Sequence, residues 1–160
     1  MKKISTLLLA ISLISSCNTV DAPKDEIYNI EGIALDGYDL VAYFAQGEAK
    51  KGVNQEVVNY NGISYQFSST KNRRLFEENP EKYLPEYGGW CAYAVAETST
   101  KMEPDPTQWQ IQDGQLILFT SSWMTKLTGS LKEEWNQDPI DYEVRADANW
   151  DKMVDLALSH

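Results

Sequence analysis

The sequence predicts a small single domain of the α+β class, with two β-hairpins and several short helices. Alternating β-forming residues flank Asn61-Gly62 and, later, Asp113-Gly114, and both dipeptides favour two-residue hairpin turns. Apolar residues between and after the hairpins recur at helical spacing. The chain has 160 residues, of which 42% are hydrophobic, and this size indicates one core rather than two.

The first 16 residues have the features of a bacterial export signal. Lys2 and Lys3 precede the apolar stretch 4–14, which is too short to cross a bilayer but is typical of a secretory signal. Residues 14–17 (ISSC) resemble a lipobox, in which the peptide is cleaved before the cysteine and the cysteine is acylated with chains such as palmitate. The alternative is an ordinary signal peptide that happens to contain a cysteine.

Acylation of Cys17 predicts a stable membrane anchor, because two or more acyl chains hold a protein firmly on a bilayer. Asn18, rather than Asp, follows the cysteine, and the resemblance to sorted lipoproteins then favours the outer membrane of the bacterial envelope. Cleavage removes two lysines and leaves 144 residues with a formal charge of −12. We therefore predict a signal peptide (1–16), a lipidated N-terminus and tether (17–29) and a domain (30–156).

The first half of the domain is predicted to contain a turn, a buried element and a hairpin. Asp36-Gly37 is a turn signal, and residues 38–44 are largely apolar. Residues 56–68 alternate around Asn61-Gly62 as a hairpin. Ser69 or Thr70 then caps a helix over 71–79.

The second half is predicted to contain a tight turn, the second hairpin and two helices. Gly88-Gly89 permits a tight backbone path, and residues 109–118 form the hairpin. Two helices follow, over 122–135 and 141–156. Their inward residues are predicted to be Met124, Leu127, Leu131 and Trp135 in the first, and Val144, Ala148 and Trp150 in the second.

Five segments in order resemble secreted YHS-domain proteins. They are residues 37–44 (GYDLVAYF), 60–69 (YNGISYQFSS), 79–85 (NPEKYLP), 87–93 (YGGWCAY) and 146–150 (ADANW). The chain is thereby identified as similar to the YHS domain-containing (seleno)protein family, in its lipoprotein form. Some members of that family carry selenocysteine where this chain has Cys91, which implies redox or soft-ligand chemistry at this position.

The chain departs from the metal-associated members of this family. Those domains place two cysteines around the start of the helix after the second strand, where this chain has Ser68 and Asn72. Neither residue supplies a thiolate, so the soft-metal site that the resemblance implies is not reproduced. The sequence therefore assigns no metal ligands and no cofactor.

Cys91 is the candidate catalytic residue. If Cys17 is acylated, Cys91 is the only free thiol, and with His160 as the single histidine a histidine base is nearly excluded. A helix beginning at Cys91 would lower the thiol pKa and activate it. The alternative is a buried cysteine that acts as a small hydrophobe.

A ligand site is predicted around this thiol, lined by Tyr38, Asp39, Tyr43, Trp90 and Tyr93. The alternatives are that these aromatic residues are core and that the aspartate caps a turn.

Three functions follow from these observations. The first is a lipid-anchored binding or thiol-redox module, which if enzymatic would be a thiol-dependent oxidoreductase with a soft ligand or a thiol partner. The second is a non-catalytic, partner-binding lipoprotein with an inert Cys91, and the third is a metal-binding YHS module. The formal charge of −10 argues against nucleic acid as a partner.

Overall fold

The computed structural model describes residues 27–121 and 130–159, and it confirms the α+β class. The predicted export signal, Cys17 and most of the predicted tether lie outside the described residues. Eleven strands and helices follow in order: β1 (Asn29–Ile30), β2 (Ile33–Ala34), α1 (Leu40–Ala45), β3 (Val53–Tyr60), β4 (Ile63–Phe67), α2 (Thr70–Glu78), α3 (Ala92–Thr98), β5 (Asp105–Gln112), β6 (Gln115–Phe119), α4 (Leu131–Trp135) and α5 (Pro139–Leu158).

The strands form two sheets. The first has the order β1-β2-β4-β3, in which β2 and β4 are parallel and the other neighbours are antiparallel. The second is the β5–β6 hairpin. Both predicted hairpins are confirmed, with positive φ at Asn61 (49°) and Gly62 (78°), and at Asp113 (49°) and Gly114 (86°).

The core consists of two apolar clusters, and one residue packs against both of them. The first lies between the four-stranded sheet and helices α1 and α2, and includes Phe67 and Phe76. The second lies between α3, β6, α4 and α5, and includes Phe119 and Trp135. Trp90 packs against both clusters and joins them.

The predicted helices are confirmed in part. Ser69 caps α2, as predicted, by accepting a hydrogen bond from the Asn72 N–H, and Phe76 is buried. The prediction of a helix over 122–135 is not tested at residues 122–129, which lie outside the described residues together with Met124 and Leu127. Within the described part the predicted helix is wrong at its middle, because Ser130 has an extended backbone and caps a short helix, α4, that begins at Leu131; Trp135 is buried as predicted.

The predicted inward face of α5 is wrong at two positions. Val144 is 62% exposed and Ala148 is also exposed. The face that packs on α3 runs instead through Tyr142, Ala146 and Asn149, and the Asn149 Nδ2 donates to the Val95 and Ala96 carbonyls, each at 3.0 Å. These hydrogen bonds tie this face of α5 to the last turn of α3.

The folded unit begins before the predicted boundary at residue 30. Tyr28 is buried, and its N–H donates to the Gly88 carbonyl at 2.8 Å. At the other end α5 continues to Leu158. Among the described helices, none combines the length and apolarity needed to cross a bilayer.

Candidate functional site

Cys91 lies at the start of α3, beneath the second hairpin. Tyr87, Gly88 and Gly89 all have positive φ, and this turn carries the chain under β6, where Cys91 pairs with Leu118. A Cβ on Gly89 would lie 3.1 Å from the Pro85 Cγ. The positive φ of Gly89 and this close contact therefore both favour glycine. The predicted helix start at Cys91 is therefore confirmed.

The environment of Cys91 is that of a core residue. Its side chain is 0% exposed, and its N–H donates to the Met102 carbonyl at 3.0 Å. Burial raises the pKa of the Cys91 thiol, while N–H groups of Ala94, Thr120 and Tyr93 oppose the rise without cancelling it. The N–H groups at the helix start thus lower this pKa as expected, but burial has the larger effect, so the thiol is not activated.

The Cys91 thiol is expected to resist alkylation in the folded protein. In the chain from residue 21, which lacks Cys17, reaction with iodoacetamide at pH 8 should be at least about a hundred-fold slower than in denaturant, since it requires local opening. Mass spectrometry over time measures both rates. A fast reaction with a pH midpoint well below about 8.5 would instead indicate an activated thiolate.

The structure does not bring the predicted ligand residues together around one cavity. Tyr38, Asp39 and Tyr43 lie at the first cluster, Tyr93 lies at the second, and Trp90 touches both. Each finds a partner within the fold. The Tyr43 hydroxyl donates to the Pro106 carbonyl at 2.9 Å, and the Tyr93 ring lies 5.4 Å from that of Tyr142.

Asp39 is a buried N-cap, as the alternative interpretation held. Its Oδ1 accepts hydrogen bonds from the N–H groups of Val41 (2.9 Å) and Ala42 (3.1 Å). Its Oδ2 accepts from the Ser68 N–H, the Ser68 hydroxyl and the Asn72 Nδ2, each at 2.7 Å. Five donors thus satisfy a carboxylate that is 0% exposed, and it is not available to a ligand.

The two positions where the resemblance placed thiolates therefore meet at Asp39. The Asn72 Nδ2 also lies 3.4 Å from the Ser68 hydroxyl, so a hydrogen-bonded network occupies this point. Over residues 27–121 and 130–159, no three or more Cys, His, Asp or Glu side chains are grouped so that they could hold a metal ion. The side chains of Asp39, Ser68 and Asn72 are thus hydrogen-bonded to one another within the fold.

An open groove lies instead where the β5–β6 turn meets the start of α5. Its volume is about 330 Å³, whereas the cavity beside Tyr28 has no room for a water molecule. Cys91 lines neither of these two cavities. The groove is lined by Gln110, Ile111, Gln112, Asp113, Asn136, Pro139, Ile140 and Glu143.

Two of the residues that line this groove are apolar and exposed, and a third exposed apolar residue follows on α5. Ile140 is 74% exposed and Ile111 is 38% exposed, and Val144 lies one helical turn after Ile140 on α5. Sequence reasoning missed this surface because it placed Val144 in the core. The sequence signal that could have revealed it is the i, i+4 spacing of Ile140 and Val144, two β-branched residues with acidic residues between them.

The surroundings of the groove are acidic. The pKa of Glu86 is raised, first by burial and then by the charges of Asp147 and Glu143, and a hydrogen bond from Gln115 opposes the rise. Glu143 lines the groove and accepts a hydrogen bond from the Gln112 Nε2 at 2.8 Å. Carboxylates that repel one another beside the groove favour a cationic neighbour.

No protein-family model, curated protein or solved structure matches this chain. Its function is therefore inferred from its own residues.

Proposed function

We propose that this protein is a lipid-anchored binding module of the bacterial cell envelope, which holds a protein partner in the groove beside α5 and performs no thiol chemistry. The observation that carries the proposal is a set of exposed apolar residues: Ile111 and Ile140, which line the groove, and Val144, one helical turn after Ile140 on α5. Burying such side chains against a partner yields about 1.5–3 kcal/mol for each one that is fully covered.

The charge around the groove selects the kind of partner. Asp113 and Glu143 line it, and Asp141 follows Ile140 on α5. Arg145 is already paired with Glu97 and Asp141. A segment with apolar side chains flanked by lysine or arginine complements this surface, whereas a second copy of the chain would bring like charges together.

The buried thiol supports the non-catalytic form of this proposal. A redox step at Cys91 would require the oxidant or partner thiol to reach a side chain that is 0% exposed. The export signal and the lipobox at residues 14–17 support the location, because an acylated Cys17 holds the domain at a membrane surface. The resemblance to secreted YHS-domain proteins is compatible with this location.

Charged substitutions in the groove are expected to release the partner. In the full-length anchored protein, the double variant Ile140→Asp and Val144→Asp should lower recovery of a crosslinked partner by at least about ten-fold, as expected for the loss of two apolar contacts. Crosslinking in intact cells, followed by mass spectrometry, measures this recovery. Higher salt should also weaken recovery, because the attraction is partly between exposed charges.

Two control variants make the result specific. Val53 is a 42% exposed apolar residue on β3, so Val53→Asp should leave recovery unchanged. Cys91→Ala should leave it unchanged as well. Recovery that survives the groove variant but is lost in Cys91→Ala would refute the proposal and favour a module centred on the thiol.

A further inference from the structure

A second surface, the indole patch, consists of Trp90, Lys101, Met102 and Trp150. The Lys101 Nζ lies 6.0 Å from the ring centroid of Trp90 and 5.6 Å from that of Trp150, so the ammonium group stands over both rings. Both indoles are half-buried, and Met102 is 44% exposed. The patch therefore combines two half-buried indole rings, an exposed thioether and one cation.

The indole patch lies where the chain enters the domain. The Tyr28 N–H is bonded to the Gly88 carbonyl, and the Tyr28 ring meets the Trp90 ring edge-on at 5.0 Å. Nine residues, 18–26, separate Cys17 from Ile27, and even fully extended they span only about 30 Å. An acyl chain on Cys17 would thus hold the domain within about this distance of the bilayer, attached on the side where the indole patch lies.

The chemistry of the patch fits the interfacial layer of a membrane. Tryptophan combines an apolar ring with an N–H donor and is enriched at the level of lipid headgroups. A lysine stem can lie along apolar surface while its ammonium group reaches phosphate. Four residues of this kind bind lipid weakly on their own, but a short tether raises the effective concentration and makes a weak contact persist.

We propose that the indole patch rests on a zwitterionic phospholipid surface and fixes the orientation of the anchored domain; this inference depends on the proposed lipid anchor. Glu103 and Asp151 adjoin Met102 and Trp150 in sequence and are both exposed, which disfavours a strongly anionic surface. Ile140 precedes Trp150 by ten residues, or about 15 Å along α5, so the groove and the indole patch are separate surfaces.

Fluorescence quenching by lipid tests this proposal. The mature chain 17–160 is coupled through the Cys17 thiol to a maleimide phospholipid in phosphatidylcholine–phosphatidylethanolamine vesicles whose acyl chains are brominated. Buried Cys91 does not compete for the maleimide. Tryptophan emission should be quenched in the wild type, and most of the quenching should disappear in the double variant Trp90→Phe and Trp150→Phe.

Matched variants and a separate anchor assay keep the outcomes distinct. Trp109→Phe, in the first cluster, should retain the quenching, whereas Lys101→Glu, a milder surface change, should reduce it. Chemical coupling supplies the anchor whether or not cells acylate Cys17, and mass spectrometry of the cellular protein tests acylation independently. Unquenched emission from domains that co-float with the vesicles would overturn the patch proposal without affecting the proposed function.

Discussion

Replacing Asp39 with asparagine is expected to lower the free energy of unfolding by about 3 kcal/mol. The carboxylate accepts hydrogen bonds with both oxygens and is fully buried. Asparagine keeps one acceptor oxygen but turns an NH₂ group towards donors that then have no acceptor. The buried donors belong to three segments, the start of α1, the end of β4 and helix α2. The substitution therefore weakens the connection between all three segments of the first cluster.

Urea unfolding followed by circular dichroism measures this effect. Asp36→Asn is the matched control, because Asp36 is exposed and paired only with Lys51 among the described ion pairs. Exposed pairs of this kind contribute about 0–1 kcal/mol, so the control should differ little from the wild type. Equal effects of the two substitutions would show that the network at Asp39 does not hold the cluster together.

Gly52→Ala is expected to destabilise the domain by about 3 kcal/mol, at the upper end of typical overpacking costs. A Cβ at this position would lie 2.5 Å from the Gln66 carbonyl carbon and 2.6 Å from the Phe67 nitrogen. These are backbone atoms of β4, so no side-chain rotation relieves the contact. The Gly52 N–H also donates to the Gly37 carbonyl at 2.8 Å, which prevents the chain from simply moving away.

Gly47→Ala separates this steric effect from backbone strain. Gly47 has a φ of +69° but has no atom within 4 Å of an added Cβ, so alanine there should cost only about 1–2 kcal/mol. Thermal unfolding of both variants gives the comparison. A larger loss at Gly47 than at Gly52 would mean that β3 can shift away from β4 without cost.

The sequence predicts those elements whose signals are local. Asn61-Gly62 and Asp113-Gly114 determine their turns by conformational preference alone, and both hairpins form as expected. Ser69 likewise caps its helix by contacts within a single turn. In these cases the residues that specify the structure lie within a few positions of one another.

The rest depends on contacts between distant segments. Asp39 and Asn72 meet across 33 positions, and no local pattern distinguishes this network from a solvated turn. The inward face of α5 is determined by its contacts with α3, which lies far away in sequence. The local pattern cannot show these contacts, so it predicts a buried Val144, whereas Val144 faces outward. The burial of Cys91 depends on β6 passing over it, which its flanking residues do not reveal.

The first strands form hydrogen bonds with segments that come much later in the chain. β1 and β2 are the first described strands, yet β2 pairs with Ser64 of β4, and the amide before β1 is held by Gly88. A chain that emerges from its N-terminus therefore exposes these segments before their partners exist. Long-range pairing of this kind slows folding, and the N-terminal strands cannot complete their hydrogen bonds until residues 64 and 88 have emerged.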